Sequence, residues 1–292
     1  MKAEKRWLIP VSAIAATAAV AAAAVRSAWE RDQLAVEYTH IRSAKIQRPR
    51  TLVFLSDLHD KEFGPGNEQL LDAVRRQHPD AVLIGGDTMV AKPGRARLAV
   101  TARLLRGLKG LCPIYYAEGN HEQRLWEEAE IYGDLYVELR RLLRECGVIC
   151  LADASACLDE DIRISGLKIA PCYYRNFFPS MMESDYLRRR LGAADRKRYQ
   201  ILLAHSPLFF RAYRHWGADL TLAGHFHGGT IRLPLLGGVM TPQYQFFLPC
   251  CAGHFRRGGR DLVVSRGLGT HSINIRLGNR PQVAVIKLLP VG

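Results

Sequence analysis

Eight side chains able to bind a metal or move a proton fall in order along this chain of 292 residues: Asp57, His59, Asp87, Asn120, His121, His205, His225 and His227. They lie in five short blocks, Asp-Leu-His at 57–59, Gly-Asp at 86–87, Gly-Asn-His-Glu at 119–122, the single His205, and Gly-His-Phe-His at 224–227. Any one block has an ordinary explanation, because an Asp after a strand often caps a helix and a Gly-Asp pair often makes a turn. Taken together they combine carboxylate, imidazole and amide oxygen. That mixture suits borderline ions such as Mn, Fe and Zn, whereas calcium alone would not favour four histidines.

The blocks sit where apolar runs stop. Asp57 follows VFLS, Asp87 follows VLIGG, Asn120 follows IYYAEG, His205 follows ILLA and His225 follows LTLAG. From Thr51 onward such runs alternate with amphipathic stretches, TLVFLS, NEQLLDAVRRQ, AVLIG, RARLAVTARLLRGL and PIYYAE, ahead of a charged stretch from Gln123 to Cys146, which predicts β-α-β-α-β-α. The later half, with DIRISGLKIA, YQILLAH, ADLTLAG, GGTIRLP, DLVVS and QVAVIKL, is richer in strand. A mixed α/β sandwich with two sheets fits both halves. Loops leaving parallel strands gather along one edge, so these polar residues converge there.

This order of blocks resembles the signature of the calcineurin-like metallophosphoesterase superfamily, D-x-H, G-D, G-N-H-[DE], H and G-H-x-H, over roughly residues 49–290. SDLHDKEFG, GGDTM, GNHEQ, GHFHGGTIRLP and SRGLGTHSINIRLGNRP are similar to its membrane-associated YkuE/YaeI-type branch. The resemblance implies an α/β/β/α sandwich with two mixed β-sheets and two divalent metal ions, Mn, Fe or Zn. It implies Asp57, His59 and His227 on one ion, Asn120, His205 and His225 on the other, and Asp87 between them. Two such ions clamp a phosphoryl oxygen and lower the pKa of a bound water toward neutrality. His121 is then the candidate for protonating the leaving oxygen, and Glu122, where the family often has Asp, orients it or is structural. The activity implied is hydrolysis of a phosphomonoester or phosphodiester, with a lipid-linked or cell-envelope ester among the candidate substrates. A nuclease or nucleotide phosphodiesterase is the second reading, and a non-catalytic binding module on the same fold is the third.

The bulk properties frame these readings. A net charge of +13 favours an anionic partner. The basic runs Arg188–Arg190, Arg196–Arg198 and Arg256–Arg260 are scattered, and no specific nucleic-acid platform is expected. Seven cysteines without Cys-x-x-Cys spacing read as reduced thiols. Residues 7–25 form an uncharged run of 19 after Lys2, Lys5 and Arg6, long enough to cross a ~30 Å hydrocarbon core. It reads as a single-pass N-terminal membrane anchor with its orientation open, a cleaved signal peptide being the alternative. The domains are then 1–28 as anchor or signal segment, 29–48 as linker and 49–290 as catalytic domain. His78, His215, His254 and His271 read as packing or surface residues. Two apolar segments without a clear period, 173–182 and 233–249, read as packed loops or as surfaces for an acyl chain or bilayer.

Overall fold

The computed structural model describes residues 5–174, 180–233, 235–270 and 273–291, with side chains from residue 16 onward. Helix α1 (Lys5–Glu30) and strand β1 (Ala35–Ser43) come first. The predicted alternation follows as β2 (Arg50–Leu55), α2 (Glu68–Arg75), β3 (Ala81–Ile84), α3 (Ala99–Leu108) and β4 (Ile114–Tyr116). The charged stretch then folds as α4 (Asn120–Glu127), α5 (Ala129–Tyr132) and α6 (Leu135–Glu145), ahead of the short β5 (Ile149–Cys150).

The later half holds β6 (Ala154–Cys157), β7 (Ile162–Leu167), α7 (Tyr186–Leu191), β8 (Tyr199–Ala204), α8 (Phe210–Trp216) and β9 (Leu220–Ala223). A two-residue pair, β10 (Arg232–Leu233) and β11 (Gly237–Gly238), precedes the hairpin of β12 (Gly253–Arg257) and β13 (Arg260–Val264). Strand β14 (Gln282–Pro290) returns the chain to the first sheet.

Two mixed six-stranded sheets result, ordered β1-β14-β2-β3-β4-β5 and β12-β13-β9-β8-β7-β6. Side-chain alternation along the strands separates three apolar layers. Val53, Leu55, Val82 and Ile84 face α2, α3 and α6 on the outside of the first sheet. Leu52, Phe54, Leu83 and Ile286 face inward and meet Ile164, Ile201, Leu203 and Leu222 of the second sheet. Leu202, Leu262 and Val264 turn outward onto Leu187, Tyr213 and Trp216 of α7 and α8. The layers are therefore α/β/β/α. Full burial of each such side chain stabilises by roughly 1.5–3 kcal/mol, and the loops of interest leave the ends of these buried strands.

The N-terminal region departs from expectation. Among the described residues no helix is long and apolar enough to cross a membrane, which overturns the expected single-pass anchor. The second half of the run is mostly alanine, a weakly apolar residue. The end of α1 is also bound to the rest of the fold. Ser27 and Glu30 are buried, and they accept hydrogen bonds from the backbone N–H groups of Arg276 (3.0 Å) and Asn279 (2.9 Å). The stretch read as a linker contains β1, which pairs in parallel with β14 from Ala35 to Ser43. Periodicity missed it because β1 is an edge strand whose residues are mostly exposed or half-buried. The seven cysteines are all free thiols.

Candidate functional site

The loops after β2, β3, β4, β8 and β9 meet along one edge. Asp57, His59, Asp87, His225 and His227 all have φ between 46° and 66°, in the left-handed region. Such a backbone costs on the order of 1 kcal/mol or more per residue for a side chain with a Cβ, and it persists only where the surroundings enforce it. The enforcement is visible. Asp57 N–H donates to Gly86 O and His59 N–H to Asp87 O, both at 3.0 Å, which fastens the loop after β2 to the loop after β3. Gly224 is required because a Cβ there would collide with Ser56 Oγ and the Asp57 carboxylate.

Asp87 occupies the centre. Its Oδ2 lies 3.0 Å from His205 Nε2, 3.7 Å from His59 Nε2 and 4.0 Å from His121 Nε2. Asp57 Oδ1 lies 3.6 Å from His227 Nε2 and 3.9 Å from His59 Nε2, and the two histidines approach to 3.1 Å. Three overlapping groups could each hold a metal ion: Asp57, His59 and His227; His59, Asp87 and His121; Asp87, His205 and His225. All of these residues are buried. The side-chain oxygen of Asn120 is also buried and lacks a hydrogen-bond partner, as expected of an atom reserved for a cation.

Backbone partners sort the imidazoles. His205 Nδ1 lies 2.8 Å from Gly85 O, and His227 Nδ1 lies 3.2 Å from Gly269 O. A carbonyl can only accept, so these nitrogens carry a proton and each Nε2 is the atom that faces the site. His225 Nε2 lies 3.2 Å from Gln243 Oε1, which leaves its Nδ1 as the ligand atom. His121 is reversed. Its Nδ1 accepts from Ala91 N–H at 2.9 Å, so the neutral ring carries its proton on Nε2.

Charge follows from burial and proximity. Burial would raise the Asp57 pKa, but His227 and His205 more than offset it and hold the carboxyl below the usual range. Burial raises Asp87 above the carboxylate range, against the pull of His205. For His205 burial favours the neutral ring, yet Asp87 and then Asp57 lift its pKa to about 10. Burial, with His205 nearby, lowers His225 to about 3. The metal-free cluster therefore holds a proton on His205 that a cation must displace.

Three further residues support the site, and the sequence reading had attached no role to two of them, Arg276 and Asn279. Glu122 clamps the first sheet's loops: Oε2 accepts from Asp87 N–H (2.8 Å) and Gly119 N–H (2.9 Å), and Oε1 from Thr88 N–H (2.9 Å) and Tyr116 O–H (2.6 Å). Of its two anticipated roles, the structural one fits these bonds. Arg276, almost fully buried, donates to Asn279 O, Arg266 O, Gly267 O and Gly269 O. Asn279 Nδ2 donates to His227 O at 2.7 Å and Thr230 O at 3.1 Å. The late motif SRGLGTHSINIRLGNRP contains Arg276 and Asn279, so the signal was present without a role attached.

Of the remaining histidines, His254 bonds Asp261 at 2.8 Å beside the β12–β13 turn, and His271 lies outside the described residues. The first apolar segment falls partly outside them too, at 175–179. In the second, Leu235, Leu236, Phe246 and Phe247 are exposed, and Met240 and Pro242 join Ile273 and Ile275 in a cleft beside His227.

Known proteins bear on this site. Residues 50–229 match the family described as calcineurin-like phosphoesterase. The chain is 27% identical to the uncharacterized metallophosphoesterase YkoQ of Bacillus subtilis over 80% of its length and 81% of that protein. It is 26% identical to the phosphodiesterase YaeI of Escherichia coli, over 82% of this chain and 83% of the relative. A solved structure from Thermus thermophilus covers 75% of this chain and 90% of its own at 14% identity and a TM-score of 0.48. The match to the family model sets aside the reading as a non-catalytic module. With these matches and a buried Asp/His cluster compatible with a dimetal site, the chain belongs to the calcineurin-like phosphoesterase family and is a metal-dependent phosphoester hydrolase.

Proposed function

We propose that the protein hydrolyses a phosphodiester at a two-ion centre, with Asp57, His59 and His227 on one side, Asn120, His205 and His225 on the other, and Asp87 shared. The observation that carries this reading is the position of Asp87. Its Oδ2 faces His59 from the loop after β2 and His205 from the loop after β8, so a single carboxylate joins both ligand groups. Divalent ions bound there neutralise phosphoryl charge and supply hydroxide from water near neutral pH. The donor set suits Mn, Fe or Zn. The name of the relative YaeI supports the diester over the monoester.

The chain's own groups complete the chemistry. The hydrogen bonds at Nδ1 of His205 and His227 fix both rings with Nε2 aimed inward. His121, held by Ala91 N–H with its proton on Nε2, is oriented to donate that proton to the departing ester oxygen. Glu122 holds the loops bearing Asp87 and Asn120 in register.

The test is metal content and hydrolysis of bis-p-nitrophenyl phosphate and p-nitrophenyl phosphate by the full chain, Asp87→Ala and His121→Gln. Asp87→Ala is expected to lose metal and roughly 10³-fold or more in kcat/KM; His121→Gln should keep its metal and lose roughly 10²-fold or more in kcat. A His121→Gln protein that loses its metal would reassign that residue as a ligand. Wild-type protein that binds two ions yet favours the monoester would refute the diester assignment.

A further inference from the structure

Past Asn120 the centre opens into a second cleft of about 220 Å³, lined by Asn120, Gln123, Arg124, Glu127, Glu128 and Tyr174. Two of its polar atoms have no assigned task. Gln123 is almost fully buried, and its side-chain nitrogen has no hydrogen-bond partner. The Tyr174 hydroxyl is likewise buried and unpartnered. Leaving such a donor unpaired costs about 1–3 kcal/mol, so two in one cleft beside a catalytic centre point to a ligand that pairs them. Tyr174 is held in place: its ring packs edge-on to His225, 5.0 Å between centroids, and lies 6.3 Å from the ring of His205.

The lining narrows the ligand's chemistry. Gln123 N–H and Tyr174 O–H donate, and Arg124, which donates to Ala91 O at 3.4 Å, adds a cation 3.8 Å from Glu128. Glu127 and Glu128 accept on the same wall. A second phosphate would meet two carboxylates, and an alkyl chain would strip water from three charged groups without replacing its hydrogen bonds. Hydroxyl groups both donate and accept, so they satisfy both kinds of wall. We infer that this cleft receives a hydroxylated arm of the ester, a polyol or one sugar ring, with Gln123 and Tyr174 as its hydrogen-bonding residues. The inference rests on the hydrolase reading of the adjoining centre.

The experiment uses Mn-loaded full-length protein and p-nitrophenyl phosphodiesters whose second arm is glyceryl, glucosyl or ethyl. Wild type is expected to favour the glyceryl or the glucosyl ester over the ethyl ester by about tenfold or more in kcat/KM, the better of the two identifying the arm. Tyr174→Phe and Gln123→Leu, each with its metal content measured, should lose at least about tenfold more on the favoured ester than on the ethyl ester. Equal wild-type rates on all three esters, equal losses in the variants, or variants that shed their metal would each overturn the inference. Wild-type protein inactive on every ester would instead refute the hydrolase reading of the centre.

Discussion

On the first sheet, Asp57, Asp87 and Asn120 follow strands within a few residues; one carboxylate, Glu122, locks the loops bearing Asp87 and Asn120, and Asp57 is tied to the neighbouring loop through Gly86 O. On the second sheet, His205 directly follows β8, whereas His225 and His227 begin a long irregular stretch held from outside by Gln243, Gly269, Asn279 and the end of α1. The first half of the centre is thus built locally, and much of the second is assembled from distant segments. Local construction needs few residues and one well-placed acid. Remote construction makes the site depend on parts of the chain that carry no chemistry.

The largest expected effect breaks the local half. Glu122→Ala leaves Asp87 N–H, Thr88 N–H and Gly119 N–H buried without their acceptor, a loss of about 3–5 kcal/mol for breaking a buried charged network. The melting temperature should fall by roughly 10 °C. Asp87 and Asn120 should lose their register with it, and metal affinity should fall on both sides of the centre. A thermal shift under about 2 °C would show that the loops hold without the clamp.

That contrast also explains what the sequence disclosed. Strand-end positions were legible because short apolar runs stop abruptly at Asp57, Asp87, His205 and His225, and the five blocks hold residues that the fold brings together. The layers followed from the same runs. Four things were not legible. Which of its two expected roles Glu122 takes depends on a tertiary meeting of two loops, and the ring orientations of His205 and His227 depend on backbone partners as distant as Gly85 and Gly269. The fate of α1 was misread because uncharged length looks like a membrane span, whereas alanine supplies little apolar drive and the buried Ser27 and Glu30 bind the fold. Strand β1 lacks the alternation that would have announced it.

A second prediction sharpens the comparison at the seam, where Asp87 of the first half faces His205 of the second at 3.0 Å. With its pKa lifted to about 10, His205 is protonated at neutral pH in the metal-free protein. A cation binding its Nε2 must release that proton, so apparent affinity rises with pH until His205 is itself neutral. One proton displaced corresponds to about tenfold per pH unit, or roughly a hundredfold in Mn affinity between pH 7 and pH 9. Calorimetric titration with Mn in buffers of different ionisation enthalpy measures the proton directly. Affinity that stays flat across this range, with no proton released, would mean that His205 is already neutral and that Asp87 does not hold it charged.

The smallest effect concerns the remote brace. Glu30 accepts from Asn279 N–H, and Asn279 Nδ2 in turn bonds His227 O and Thr230 O, so α1 reaches a candidate ligand through one intervening residue. Glu30→Ala removes a buried acceptor from Asn279 N–H and should cost about 1–3 kcal/mol of stability. If the brace positions His227, the variant should also bind one equivalent of Mn severalfold more weakly while the other equivalent keeps its affinity. The first half meets this region through Asp57 O, which accepts from Leu268 N–H and Gly269 N–H, and lies further from Glu30, so it should feel the change less. Destabilisation with both Mn affinities intact would make α1 a clip on the domain's exterior. Equal weakening of both would mean that the two halves move as one body, and the division between local and remote construction would lose its mechanical meaning.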